Sequence, residues 1–164
     1  MDFGTLYRQY AQDVFRFAYY LSGNRAMADD ITAETFARAL TAAGRIRTGT
    51  VKAYLLRIAR NVFLDATRRD ARLASLPDEA TDVGDPAPGP EAVAAARLDL
   101  EQTRHALAAL SEGERAALLM SAVAGLSHEQ IAAALDCSIP AVKLRIHRAR
   151  LRLRQLTARE RTSS

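Results

Sequence analysis

The 164-residue sequence predicts an all-α protein: two small helical domains joined by a flexible linker, the second with a helix-turn-helix. Three observations predict it. Apolar residues recur at helical spacing in both halves, and nothing alternates with period two for long enough to argue for a sheet. Leu76 to Pro90 holds four prolines, two glycines and many acids, with almost no large apolar side chain. Such a stretch cannot bury enough surface to offset its ordering entropy. The expected boundaries are therefore 1–70 for the first domain, 71–92 for an acidic, Pro-rich linker and 93–164 for the second domain. Lastly, Gln130 to Lys143 has helix-turn-helix spacing.

In the first domain Leu6, Tyr10, Val14, Phe17 and Leu21 mark one helix, and Ser22-Gly23 ends it. Asn24 can cap a second helix through about Leu40, with Ala33, Phe36, Ala37 and Leu40 on one side. Thr50 can cap a third, whose apolar stripe is Val51, Leu55, Ile58, Ala59, Val62 and Ala66. Opposite that stripe lie Arg57, Arg60, Asn61, Leu64 and Arg68, a cationic, hydrogen-bonding platform.

The second domain opens with a helix from about Pro90 to Leu110. Ser111-Glu112-Gly113-Glu114 and Ser127-His128-Glu129-Gln130 each have the pattern of a capping box, and each opens a helix. The last helix begins near Ser138, with Pro140 in its first turn, where a missing backbone donor costs nothing. Between the last two helices Asp136 falls where the turn wants a left-handed residue, which Asp tolerates better than most. Ile131, Leu135, Val142 and Ile146 should fill the angle between them.

Composition excludes several classes. No run approaches the roughly 18 apolar residues of a membrane span, and Met1-Asp2-Phe3-Gly4 does not open a signal peptide. A cytoplasmic protein is expected. The single cysteine, Cys137, permits no internal disulfide; it reads as a small apolar residue of the turn or as a redox sensor. His105, His128 and His147 are too scattered for a metal site, and neither a nucleophile motif nor a Gly-rich phosphate loop is present. No enzyme, cofactor or metal is expected.

Charge points elsewhere. Ile139 to Arg161 carries eight basic residues against Glu160, and Arg45 to Arg69 carries seven against Asp65. Asp70 to Glu91, between them, carries six acids against Arg72. Two basic segments about an acidic one suit a chain that touches nucleic acid at two places, against the blander reading of solvated helix faces. On the last helix, Lys143, His147, Arg150 and Arg154 form one flank, and Ala141, Arg145, Arg148 and Arg152 the other. An apolar seam with basic shoulders suits a major groove between two phosphate backbones; a basic helix lying on a protein partner is the alternative.

Several segments resemble bacterial sigma factors of the extracytoplasmic-function (ECF) type, within the sigma-70 family. Ala28-Asp29-Asp30-Ile31-Thr32-Ala33-Glu34-Thr35-Phe36 resembles the family's polymerase-docking helix, and Ala53-Tyr54-Leu55-Leu56-Arg57-Ile58-Ala59-Arg60-Asn61 its promoter-melting helix. Leu110 to Arg115 and Val142 to Arg150 resemble the start and end of its minus-thirty-five domain. Ala33 stands for a usual Gln, Tyr54 for a usual Trp and Ala141 for a usual Thr.

The resemblance implies a transcription initiation factor that binds core RNA polymerase and directs it to promoters. It places Asp30, Glu34 and Phe36 on the surface that meets the polymerase clamp helices. It brings Arg57, Arg60 and Asn61, with the loop Gly44 to Gly49, to the minus-ten element. It brings Ala141, Lys143, Leu144, Arg145, Arg148 and Arg152 to minus-thirty-five DNA. Lys143, Arg145 and Arg148 then read bases, while Arg152 and Arg154 touch phosphate. Core RNA polymerase and promoter DNA are the implied partners, and a separate anti-sigma factor is left open. The rival readings are a self-standing dimeric DNA-binding regulator and a protein-interaction module.

Overall fold

The computed structural model describes residues 2–42, 51–73 and 103–162. The loop Gly44 to Gly49, the Thr50 cap and the expected linker beyond Leu73 lie outside these residues. Six helices carry the fold: α1 (Phe3–Ser22), α2 (Arg25–Thr41), α3 (Val51–Leu73), α4 (Glu112–Ala122), α5 (His128–Leu135) and α6 (Ile139–Thr162). A helical stretch at 103–108 precedes α4. Because α3 runs unbroken to Leu73, the expected domain boundary at 70/71 falls inside a helix.

The helix ends form where local chemistry dictates. Asp2 caps α1 by accepting from Thr5 N–H at 2.7 Å, and that bond holds its carboxyl below the usual carboxylate range. Gly23 closes α1 at φ 70°, and its N–H reaches Tyr19 O. Asn24 caps α2 through Met27 N–H at 2.9 Å. Ser127 and Gln130 complete a reciprocal capping box on α5. Ser111 caps α4 by accepting from Glu114 N–H at 3.2 Å.

The first lobe is α1, α2 and α3 packed around Val14, Phe17, Leu21, Ile31, Leu55 and Ala59. The core face of α2 differs from the one the sequence suggests. Ala33, Ala37 and Leu40 are exposed, while Ala28, Ile31, Thr32, Thr35 and Ala39 face inward with Phe36. Thr32 and Thr35 reach the core because their hydroxyls donate to Ala28 O and Ile31 O, at 2.7 and 2.6 Å. A hydroxyl bonded back to its own helix can be buried at little cost.

The second lobe is α4, α5 and α6. Ile131, Leu135, Val142 and Ile146 fill the angle of the helix-turn-helix as expected. Asp136 sits at φ 54°, in the left-handed region, and Cys137 N–H bonds Ala132 O at 3.0 Å to close α5. A side chain at that φ is strained, and glycine is not. Asp136→Gly should therefore raise the stability of the fold by about 0.5–1 kcal/mol and Asp136→Val should lower it. Thermal unfolding of the pair reads the sign.

The two lobes pack against each other. α1 contacts α4, and α3 contacts α5. Lys52, Leu56, Arg60 and Phe63 lie along one line of α3; Lys52 Nζ donates to Ala124 O at 3.2 Å, and Leu56 and Phe63 are buried. Arg115 and Arg104 donate to Leu21 O and Gly23 O, at 2.6 and 3.2 Å, and so cap the carbonyl end of α1 from the second lobe. Guanidinium charge suits that end of a helix.

Candidate nucleic-acid interface

Arg57, Arg60 and Asn61 lie on one side of α3, and the second lobe covers part of that side. Arg60 Nε and Nη2 donate to Glu112 Oε1 and Oε2, each at 2.7 Å, with side chains 18% and 24% exposed. The paired carboxylate raises the Arg60 guanidinium above its ordinary value, against the opposing effect of burial. Arg57 is exposed and reaches Ala133 O at 3.4 Å. Asn61, one turn further along the helix from Arg57, is exposed. The three residues thus share a surface, and its Arg60 edge is closed by the N-terminus of α4.

Arg115 supports this arrangement from inside. It is half-buried, its Nε has no partner among the described residues, and burial pulls its guanidinium below the ordinary value. Its bond to Leu21 O compensates part of that cost.

On α6 the two shoulders differ. Arg148 and Arg152 are exposed, as are Lys143 and Leu144, the last at 47%. An exposed leucine beside lysine and arginine on a groove-sized helix can meet a thymine methyl. Ala141 is half-buried. Arg145 is turned inward: its Nη1 lies 3.5 Å from Cys137 Sγ, and its guanidinium passes over Gly113. Arg145 is half-buried, and both contacts lie within the second lobe.

The expected docking surface on α2 is only partly a surface. Asp30 and Glu34 are exposed and line one groove with Met27, Val62 and Arg69. Phe36 corrects the expectation. It is 2% exposed, and the rings of Phe3 and Tyr7 meet it edge-on with centroids 6.3 and 4.9 Å away. Apolar burial under two aromatic rings outcompetes exposure at that position, so Phe36 shapes the α1–α2 face and any partner meets Phe3 and Tyr7 first.

Sequence reasoning missed Glu112, Arg104, Arg115 and Lys52. Glu112 lies 52 residues from Arg60 in the chain and carried only a capping signal; no local pattern reveals such a pair. Among the described residues no cluster of potential metal ligands occurs, and no helix is long and apolar enough to cross a membrane.

Comparison with known proteins accounts for both lobes. Residues 6–73 match the model of sigma-70 region 2, and residues 100–153 that of sigma-70 region 4. The chain is 39% identical over 157 residues to the ECF RNA polymerase sigma factor SigE of Mycolicibacterium smegmatis. That match covers 94% of this chain, which spans 61% of the relative's length. It is 34% identical to the ECF sigma factor SigL of Mycobacterium tuberculosis, across 95% of this chain and 88% of the relative.

Among solved structures, it resembles the sigma factor RpoE of Bartonella quintana in complex with the anti-sigma factor NepR. The TM-score is 0.79 at 28% identity, over 96% of this chain and 97% of that one. It also resembles CnrH in complex with the cytosolic domain of CnrY, with a TM-score of 0.72 at 27% identity, over 95% and 87% of the two chains. The chain belongs to the ECF group of the sigma-70 family, the transcription initiation factors that direct RNA polymerase to promoters.

Proposed function

We propose that the chain docks on core RNA polymerase through the Asp30 and Glu34 side of α2. It then reads the minus-thirty-five element with α6 and helps part the minus-ten element with Arg57, Arg60 and Asn61 of α3. The observation that carries this reading is the pair of unlike basic surfaces on one chain, one on α3 and one on α6. A dimeric regulator on a palindrome presents the same surface twice; two different surfaces suit an asymmetric promoter. Such work places the protein in the cytoplasm, with its polymerase and DNA, and asks no catalysis of it.

Because the second lobe covers Arg60, engagement of that residue with promoter DNA on this reading requires the lobes to separate. By likeness to the RpoE and CnrH complexes, a separate anti-sigma factor is a fitting third partner. The test is transcription in vitro with core polymerase and a genomic fragment library. Defined start sites that depend on this chain support the reading. Specific DNA binding without polymerase-dependent transcripts supports the self-standing regulator instead.

A further inference from the structure

A row of charges runs from the proposed docking side of α2 across to α3. Arg38, in the last turn of α2, donates from Nε to Glu34 Oε1 at 3.1 Å and from Nη2 to Asp65 Oδ2 at 3.4 Å. The other oxygen of Asp65 faces Arg68 Nη1 at 3.8 Å. Glu34, Arg38, Asp65 and Arg68 thus alternate in sign, and the Asp65 carboxylate serves two guanidiniums. Arg57, Asn61, Leu64 and Arg68 follow one another on α3 at intervals of four, three and four. Arg68 therefore ends a line about 16 Å long that begins with two of the proposed minus-ten residues. Its side chain is 72% exposed, the most open of the four charges.

We propose that Arg38 is a positioning residue that couples polymerase docking to minus-ten engagement, by setting whether Asp65 is shared with Arg68 or held by Arg38 alone. The inference rests on the docking and minus-ten readings above; it adds the link between them and a DNA contact at Arg68. In the structure Arg38 divides its donors between two acids, and both contacts to Asp65 are longer than the roughly 2.7–2.9 Å of a tight charge-assisted bond. A polymerase cation that takes Glu34 competes for that carboxylate and repels Arg38. Arg38 then turns fully to Asp65, and an acid so satisfied no longer holds Arg68, which is released to a DNA phosphate. The opposite order has the same result. A phosphate that draws Arg68 away leaves Asp65 to Arg38, and Glu34 is loosened for its partner. Such coupling is reciprocal. It is also modest, because exposed ion pairs shift an equilibrium only a few-fold.

The test uses the full chain, labelled and titrated with core RNA polymerase, with and without a saturating promoter fragment whose minus-ten stretch is unpaired. The fragment comes from a start site that the chain itself directs. The ratio of the two affinities is the DNA-linked gain. A side chain that only supports the fold changes both affinities and leaves their ratio alone. Arg38→Gln, which removes the charge but keeps a good helix former, should cut the gain by about threefold. Arg68→Gln should cut it equally. The double variant should lose no more than either, because both residues act through Asp65. Arg16→Gln, the same charge change on exposed α1, is the control and should leave the gain unchanged.

A gain that neither single variant moves overturns the coupling while leaving docking in place. So do losses that multiply to about ninefold in the double variant, since the two arginines then act independently. A wild-type chain that binds no polymerase removes the docking reading itself, and the coupling with it.

Discussion

Replacing Glu112 by alanine should loosen the hold of the second lobe on the first by roughly thirtyfold. The Arg60–Glu112 pair is bidentate and charge-assisted, with both bonds at 2.7 Å and both side chains less than a quarter exposed. Removing the carboxylate leaves a largely buried guanidinium without its anion, a loss of about 2 kcal/mol, which is the thirtyfold. An inserted protease site between residues 73 and 103 makes this measurable. After cleavage, the wild-type pieces should stay together through the bonds of Lys52, Arg57, Arg104 and Arg115. The Glu112→Ala pieces should separate at a protein concentration about thirty times higher. The swap Arg60→Glu with Glu112→Arg should restore association, yet leave a carboxylate where the proposed platform needs a cation. Association that survives Glu112→Ala undiminished would show that the pair is incidental and the arginine caps hold the lobes.

What the sequence made legible was local. Gly23, Asn24, Ser127 and Asp136 announce their roles within four residues of chain, because caps and left-handed turns are satisfied by near neighbours. The seam of α6 was legible too, since Val142, Ile146 and Ala149 keep helical spacing and are buried. What depends on distant chain was not. Leu56 and Phe63 sit among the polar residues of α3, on the line that carries Lys52 and Arg60 to the second lobe, and are buried. The core face of α2 was masked by Thr32 and Thr35, whose hydroxyls look polar until their bonds to the preceding turn are seen. Arg145 read as a base contact from its place on the helix, and only the packing of α4 shows it folded back.

Reversing Asp30 and Glu34 together, Asp30→Arg with Glu34→Arg, should abolish co-purification with core RNA polymerase while helical content stays unchanged. Both side chains are exposed, so the fold loses little. The main internal debit is the Glu34–Arg38 pair at 3.1 Å, an exposed i,i+4 contact of about 0.3–0.5 kcal/mol. Arg38 keeps a second acid, Asp65 at 3.4 Å, which limits even that. At a docked interface the balance is different. Opposing a partner's cations with like charge costs several kcal/mol, enough for a loss on the order of a thousandfold. The choice of residues matters. Phe36→Ala would also lose polymerase, but by emptying the space beneath Phe3 and Tyr7 at a cost of about 3–5 kcal/mol to the fold, so its failure would say nothing about docking. Asp29→Arg provides the contrast on the same helix, since Asp29 is exposed on the α1 side, in the groove with Phe3 and Tyr7. If the polymerase grips the Asp30–Glu34 side, Asp29→Arg should retain most binding. Equal losses from both would place the docking surface across the whole exposed width of α2, and binding retained by the double reversal would remove it from α2 altogether.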